Sequence, residues 1–182
     1  SKFPTQMDPA YLAQSSIGQY EVAATPLQML MVASAIANNG VLMKPHVVKS
    51  ITGSDLKVLQ TVQPEQAGRP ISEGAAKQLK QMMENVVSDG TGTSAQVAGV
   101  SVAGKTGTAQ TGSDDGGPIP WFIGFAGTDI NKPEIALAVV LDGNAETEDG
   151  ATGGEGAGPV AAQGVEAAGG HRNPLCGARG KG

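Results

Sequence analysis

The sequence predicts an α+β fold in which an antiparallel sheet packs against helices. Two segments with capping residues and helical apolar spacing occupy the first half of the chain, and three strand-like apolar segments follow one another in the second half. Helices and strands are therefore grouped rather than alternating, which argues against a doubly wound parallel sheet. With 182 residues, the chain is long enough for one domain with a hydrophobic core.

The first predicted helix begins at Thr25-Pro26, a hydroxyl-bearing N-cap followed by proline at the first helical position. It continues through an apolar run to Ile36 and ends at Asn39-Gly40, a common C-terminal signal. Because this helix is apolar nearly all round, we expect it to be buried on most sides.

The second predicted helix begins after Ser72, whose hydroxyl can cap it, and ends at Asp89-Gly90. Its apolar positions repeat at helical spacing and comprise Ala75, Leu79, Met82, Met83 and Val86. Its polar positions, which we expect to face water, are Lys77, Lys80, Gln81 and Glu84.

Strand-like segments account for most of the remaining chain. Val47–Ile51 and Leu56–Val62 flank a Gly-Ser-Asp turn, which indicates a hairpin. The three later strands are Val97–Thr111, Trp121–Ala126 and Glu134–Leu141, and the Gly/Asp/Pro-rich loop Gly112–Pro120 joins the first two. A last helix is expected near Ala157–Ala168, although each interior glycine weakens it by about 1 kcal/mol.

Composition narrows the possible functions. The net charge is −5 and the charges are dispersed, which argues against a nucleic-acid-binding surface. No stretch approaches the run of about 20 apolar residues needed to span a bilayer, and the start does not resemble a signal peptide. A lone Cys176 excludes an internal disulfide framework. We expect residues 1–168 to form part of one domain and residues 169–182 to be a disordered tail.

The tetrad Lys105-Thr106-Gly107-Thr108 is the strongest candidate for a functional site. A cation, two hydroxyls and a glycine follow the β-branched Val100 and Val102. This pattern predicts a strand whose edge can bind an anionic ligand. On a strand, Thr106 and Thr108 project to the same side, so both hydroxyls can face one ligand.

The same stretch admits a second interpretation, because Gly99–Thr106 matches the phosphate-loop pattern G-x-x-x-x-G-K-[ST]. A phosphate loop requires a helix that opens at Lys105-Thr106. Four glycines and a proline occupy the next dozen residues and disfavour such a helix. A nucleotide-binding domain is therefore a minor alternative.

Several motifs occur together with this tetrad in a recognisable order. They are Ser16-Ile17-Gly18-Gln19, Thr25-Pro26-Leu27-Gln28-Met29, Ala37-Asn38-Asn39-Gly40, Gly90-Thr91-Gly92, Gly104–Gln110 and Trp121–Gly127. In this order they resemble the C-terminal part of the transpeptidase domain of class B penicillin-binding proteins, and most of all the actinobacterial penicillin-binding protein A type. The resemblance implies a partial domain with the serine β-lactamase-like, penicillin-binding transpeptidase-like α+β fold.

The resemblance also implies an acyl-transfer site for the D-Ala-D-Ala end of a peptidoglycan stem peptide, which β-lactams would occupy as well. Lys105 and Thr108 would then be catalytic, with the N–H of Thr108 as one of two oxyanion-hole donors. Thr106, Gly107 and Thr108 would bind substrate. The resemblance implies no cofactor and no metal. The parent protein would act on the extracytoplasmic face of the cell membrane, to which an N-terminal segment would anchor it.

Departures from the family pattern limit what this chain is expected to do alone. Family catalysis needs a serine nucleophile in S-x-x-K and a later S-x-N, and the chain contains no S-x-N. Its S-x-x-K match, Ser54 to Lys57, lies in a predicted turn and out of family order, so we interpret it as accidental. Tyr20 stands where glycine is common.

We therefore expect this chain to be inactive by itself and to need the missing N-terminal part of the same domain. The alternative within the family is a non-catalytic module that binds peptidoglycan or a protein partner.

Overall fold

The computed structural model describes residues 1–5, 8–110, 118–141 and 156–170. The helices are α1 (Pro9–Ser16), α2 (Pro26–Ala37), α3 (Glu73–Ser88) and α4 (Ala157–Gly170), and Thr93–Ala95 forms a short 3-10 helix. The strands are β1 (Leu42–Met43), β2 (Ser50–Thr52), β3 (Val58–Thr61), β4 (Gln66–Gly68), β5 (Ser101–Ala109), β6 (Ile119–Gly127) and β7 (Ile135–Val140).

An antiparallel sheet in the order β5-β6-β7 lies at the centre of the fold. β5 pairs with β6 along its whole length, from Ser101 opposite Gly127 to Ala109 opposite Ile119. β7 pairs with the other side of β6, so β5 is an edge strand within the described part of the chain. The predicted α+β plan with an antiparallel sheet and packed helices is confirmed.

Helices cover both faces of this sheet. Phe122 of β6 is fully buried in one cluster, which contains Val165 of α4 and Val87 of α3. Phe125, also fully buried, packs in a second cluster with Ile36 of α2 and Met83 of α3. Because successive strand residues alternate between faces, these two phenylalanines anchor the two layers of core on opposite sides of the sheet.

The two predicted major helices are confirmed together with their caps. The side chain of Thr25 accepts a hydrogen bond from the N–H of Gln28, and Pro26 occupies the first turn of α2. The side chain of Ser72 accepts from the N–H of Ala75 at the start of α3. Each cap satisfies a backbone donor that has no partner inside the helix.

Two side chains of α3 contradict the predicted division into apolar and water-facing positions. Lys80 is buried and donates from Nζ to Oδ1 of Asn39 at 2.8 Å. Burial lowers the pKa of this amine. Met82, predicted to face the core, is 60% exposed. The helical period was right, but the packing of α3 against the end of α2 brings Lys80 inside.

The expectation that α2 is buried on most sides is also wrong in this structure. Ala33, Ala35 and Ile36 are buried, but Leu27 is 53% exposed and Val32 39% exposed. α2 contacts α3, β1, β6 and β7, and these contacts leave Leu27 and Val32 uncovered. An apolar outer side of α2 therefore faces solvent.

Helix α1 was not predicted, although Asp8 caps it and Pro9 occupies its first turn. The chain then turns through Gly18 and Tyr20, both with positive φ. Tyr20, the residue that departs from the family pattern, has φ of +64° and stacks its ring on Tyr11 at 4.2 Å between centroids. A favourable aromatic contact therefore accompanies a backbone conformation that tyrosine rarely adopts.

The predicted hairpin is confirmed as β2 and β3, with shorter strands than expected. Leu56 in its turn has φ of +63° and is 85% exposed. The antiparallel pairing of β1 with β4 was not predicted.

The last helix, α4, is formed despite its glycines. A Cβ on Gly158 would lie 2.0 Å from Oγ of Ser94, so a larger residue there would have to displace the Ser94 side chain. The helix runs to Gly170, two residues past the expected boundary at 168.

Three predicted features lie wholly or partly outside the described residues. They are the end of the first long strand at Thr111, most of the loop Gly112–Pro120, and residues 171–182 of the predicted tail. Within the described part, none of the helices combines the length and apolar character that crossing a membrane would require.

Candidate functional site

Lys105, Thr106, Gly107 and Thr108 lie in the second half of β5, the edge strand of the sheet. Lys105 is paired with Ile123 and Gly107 with Trp121 of β6. Since these residues are extended, Lys105-Thr106 does not open a helix. The phosphate-loop interpretation of Gly99–Thr106 is therefore wrong.

A cavity of about 790 Å³ lies beside this half of the strand. Its walls come from the chain preceding α2, from α2 itself, from the loop after α3, and from β5 and β6. The lining residues are Ile17, Gly18, Gln19, Val22, Ala24, Met29, Thr91, Lys105, Thr106, Gly107, Thr108, Ala109, Trp121 and Ile123. All four residues predicted from the tetrad thus line one cavity large enough for a peptide-sized ligand.

The two threonines of the tetrad lie in different environments. Thr106 is 8% exposed and its Oγ1 lies 2.6 Å from Oγ1 of Thr91. Thr108 is exposed. Being two residues apart on a strand, they project to the same side, but the side chain of Thr106 is buried and that of Thr108 is exposed.

Lys105 supplies the positive charge of the site. Its side chain is exposed, and Nζ donates to the backbone carbonyl of Thr106 at 2.5 Å. This contact folds the amine back along the strand toward the threonines. A cation and two hydroxyl groups therefore meet on one stretch of cavity wall, an arrangement suited to a carboxylate.

Gly107 also lines the cavity and has room for a Cβ atom. A Cβ built on Gly107 would approach only Cβ of Trp121, at 3.4 Å, which is an ordinary contact. Its φ is not positive either, so the fold does not require glycine here. Gly104 of the same strand differs, because a Cβ there would lie 2.1 Å from Cζ of Phe122. The fold thus explains Gly104, whereas it does not explain Gly107, which lines the cavity.

Comparisons with known proteins identify the family of this chain. The sequence profile of the penicillin-binding protein transpeptidase domain matches residues 5–166. The chain belongs to this family. It is 40% identical to the peptidoglycan D,D-transpeptidase PbpA of Mycolicibacterium smegmatis over 164 residues, which cover 89% of this chain and 33% of that protein. It is 37% identical to PbpA of Mycobacterium tuberculosis, covering 88% of this chain and 32% of that protein.

Solved structures agree with the sequence comparison. The crystal structure of PBPA from Mycobacterium tuberculosis matches with a TM-score of 0.77 and 36% identity, covering 88% of this chain and 36% of that one. The penicillin G acyl-enzyme complex of the same protein matches with a TM-score of 0.75 and 38% identity, covering 88% and 35%. The predicted likeness to the penicillin-binding protein A type is confirmed. The chain spans about a third of the length of the relatives it matches.

Several residues of this transpeptidase-family cavity were not predicted as site residues. Thr91 was noted only as part of a Gly-Thr-Gly string, Ile17, Gly18 and Gln19 only as part of a family motif, and Val22 and Ala24 not at all. The segment 17–24 is held in place by an antiparallel bridge between Lys2 and Ala23 and by an ion pair of Lys2 with Glu21 at 2.6 Å. Both walls meet β5 only in the folded chain, across long sequence separations.

The one S-x-x-K match in the sequence, Ser54 to Lys57, does not lie on a helix. Ser54 lies in the turn between β2 and β3, where Lys57 pairs with Asp55 at 3.0 Å instead of with the serine. The interpretation of Ser54–Lys57 as an accidental match agrees with this position. Among the residues that the structure describes, no group of three His, Cys, Asp or Glu side chains is arranged to hold a metal ion.

Proposed function

We propose that this chain is the part of a penicillin-binding D,D-transpeptidase that carries the K-T-G wall of its acyl-transfer site. One observation carries the proposal: Lys105, Thr106, Gly107 and Thr108 line one side of a cavity of about 790 Å³ along an edge strand. The reaction would cross-link peptidoglycan. The names of the PbpA relatives support the activity, and the acyl-enzyme complexes of the matching structures support β-lactams as ligands.

Each residue of the wall has a proposed role. The charge of Lys105 and the hydroxyls of Thr106 and Thr108 bind the terminal carboxylate of a D-Ala-D-Ala stem peptide or the carboxylate of a β-lactam. The backbone N–H of Thr108 donates to the oxyanion that forms at the attacked carbonyl. The missing side chain of Gly107 lets the acyl group lie against the strand. The nucleophilic serine belongs to a part of the domain that these residues do not include.

The proposed setting follows from the substrate. Peptidoglycan lies outside the cytoplasmic membrane, so the site would act on its extracytoplasmic face, in a protein anchored by a segment not among these residues. The non-catalytic alternative predicts the same carboxylate-binding residues but no acylation. Covalent labelling by a β-lactam therefore distinguishes the two hypotheses.

Labelling with a fluorescent penicillin tests the proposal. The full-length protein that carries this chain should be labelled covalently, and this chain alone should not be. Lys105→Ala in the full-length protein should lower the second-order labelling rate constant by about 100-fold, because the cation that binds the carboxylate of the ligand is lost. Lys77→Ala, which removes an exposed lysine of α3, is the matched control and should leave the rate unchanged. A full-length protein that folds but takes no label would favour the non-catalytic module.

A further inference from the structure

The loop that follows α3 brings one threonine to the wall of the cavity. Gly90 and Gly92 flank Thr91, and both lie against the last turn of the helix. A Cβ on Gly90 would lie 2.9 Å from the backbone of Val86, and one on Gly92 would lie 3.1 Å from it. The N–H of Gly92 donates to the carbonyl of Val86 at 2.9 Å. The two glycines therefore allow the loop to pack closely against α3, and this packing fixes the position of Thr91 between them.

Thr91 contacts the tetrad through a single short hydrogen bond. Its Oγ1 lies 2.6 Å from Oγ1 of Thr106, fifteen residues further along the chain, and both residues line the cavity. Thr106 is the more buried of the two, with 8% exposure. The pair is thus a link between the loop after α3 and the strand that carries the K-T-G residues.

The direction of this bond decides what Thr106 can offer to a ligand. Each hydroxyl has one proton to donate and can accept through its lone pairs. If Thr106 donated to Thr91, it would present only lone pairs to an approaching anion. If Thr91 donates to Thr106, the proton of Thr106 is free to point at the anion. A bound carboxylate selects the second arrangement, and each bond in such a chain polarises and strengthens the next.

We propose that Thr91 is a positioning residue for carboxylate recognition: its hydroxyl donates to Thr106 and so directs the Thr106 proton toward the carboxylate of the ligand. This inference rests on the proposed function and adds a residue to its site. Lys105 contributes independently, since its Nζ bonds the backbone carbonyl of Thr106 and not the hydroxyl. Thr91 acts through Thr106, whereas Thr106 touches the ligand.

The test uses the full-length protein and the second-order rate constant of penicillin acylation. Thr91→Val keeps the shape of the side chain and removes its hydroxyl, so the rate constant should fall by about five- to tenfold, the usual effect of losing one hydrogen bond between neutral groups. Thr91→Ser should restore most of it. Thr93→Val is the matched control: this threonine is exposed, lies two residues on, does not line the cavity, and should leave the rate unchanged.

Two further measurements separate positioning from a general structural role. In the double variant with Thr106→Val, Thr91→Val should cause no additional loss, because its effect passes through Thr106. Competition by N-acetyl-D-Ala-D-Ala and by its C-terminal amide should show that Thr91→Val weakens the carboxylate ligand five- to tenfold and the amide less than twofold. If Thr91→Val does not fold, Thr91→Ala is compared with Thr91→Ser by the same readouts.

The outcomes distinguish this inference from the proposed function. A wild-type protein that takes no penicillin overturns both. A wild-type protein that is acylated, with Thr91→Val acylated at the same rate or weakened equally toward acid and amide, overturns the role of Thr91 alone. Loss with Thr91→Val, recovery with Thr91→Ser and non-additivity with Thr106→Val support it.

Discussion

At the scale of single residues, the two glycine positions of β5, Gly104 and Gly107, have different physical explanations. Gly104 is fixed by the core, since a Cβ would lie 2.1 Å from Cζ of the fully buried Phe122. Gly107 is fixed by nothing in the described structure, because the closest approach of a Cβ would be 3.4 Å. Its absent side chain therefore points to a demand made by a ligand rather than by the fold.

This difference predicts that Gly107→Ala folds but reacts poorly. Stability should change by less than about 1 kcal/mol, because the backbone conformation suits alanine and the methyl group finds an ordinary contact. In the full-length protein, the rate constant of acylation by a fluorescent penicillin should fall by about 10- to 100-fold, since the methyl group displaces the acyl group from the strand. Thermal unfolding and labelling measure the two effects.

Gly104→Ala provides the contrasting control for this prediction. Its methyl group would overlap the ring of Phe122, so unfolding should become easier by about 1–3 kcal/mol. If Gly107→Ala were as destabilising as Gly104→Ala, or if it left acylation unchanged, the assignment of the space beside Gly107 to the ligand would be wrong.

At the scale of elements, the β2–β3 hairpin is held mainly by its own bonds. The N–H of Gly53 donates to the carbonyl of Lys57 at 2.9 Å, and the N–H of Val62 to that of Lys49 at 3.0 Å. Leu56 occupies the turn with φ of +63°, although its side chain is 85% exposed and gains little from packing. The turn therefore carries strain that no contact of the Leu56 side chain offsets.

Leu56→Asn should stabilise this hairpin by about 0.5–1 kcal/mol, because asparagine tolerates positive φ better than leucine. The change should appear as about two- to fivefold greater protection from hydrogen exchange at the N–H groups of Gly53 and Val62. Leu59→Asn removes an equally apolar, 70% exposed side chain from β3, where φ is not positive, and should give no gain. Equal protection in both variants would mean that backbone strain at Leu56 is negligible.

The same scale shows why the sequence predicted some elements and not others. α2 and α3 combine a capping residue with helical apolar spacing, and both were found from Thr25 and Ser72. α1 has a cap at Asp8, but Ser15 is its one buried residue, so it lacks the apolar period. The β1–β4 pair joins short strands about 25 residues apart, and no local pattern encodes such a pairing.

The residues of the candidate site also divide into those that the sequence predicted and those that it did not. Lys105, Thr106, Gly107 and Thr108 are adjacent in sequence, so a motif could identify them. Thr91 and the wall at residues 17–24 reach the cavity only through tertiary packing. The prediction that Lys80 faces water was wrong for the same reason, because its hydrogen-bond partner Asn39 lies 41 residues away in the sequence. Patterns in sequence predict which residue types a strand carries, whereas long-range contacts decide which neighbours complete the site.

At the scale of the whole molecule, apolar surface remains uncovered beside the sheet. The outer side of α2 exposes Leu27 and Val32, and all six residues of β7 are only half-buried despite their apolar character. A groove of about 390 Å³ runs between α2 and the start of β7. Uncovered apolar surface of this kind favours association or loosened packing in water.

We therefore predict that this chain in isolation is poorly soluble or partly unfolded. It should bind the dye 8-anilinonaphthalene-1-sulfonate strongly and unfold over a broad temperature range, because one side of α2 and the edge of β7 lack packing partners in the described structure. The double variant Leu27→Gln and Val32→Thr reduces the same surface and should bind less dye. Leu59→Gln, on the distant hairpin, is the matched control and should bind as much dye as the unaltered chain. A sharp, cooperative thermal transition of the isolated monomer with little dye binding would contradict the prediction, since it would mean that the two core clusters on either side of β6 suffice to stabilise this part of the domain.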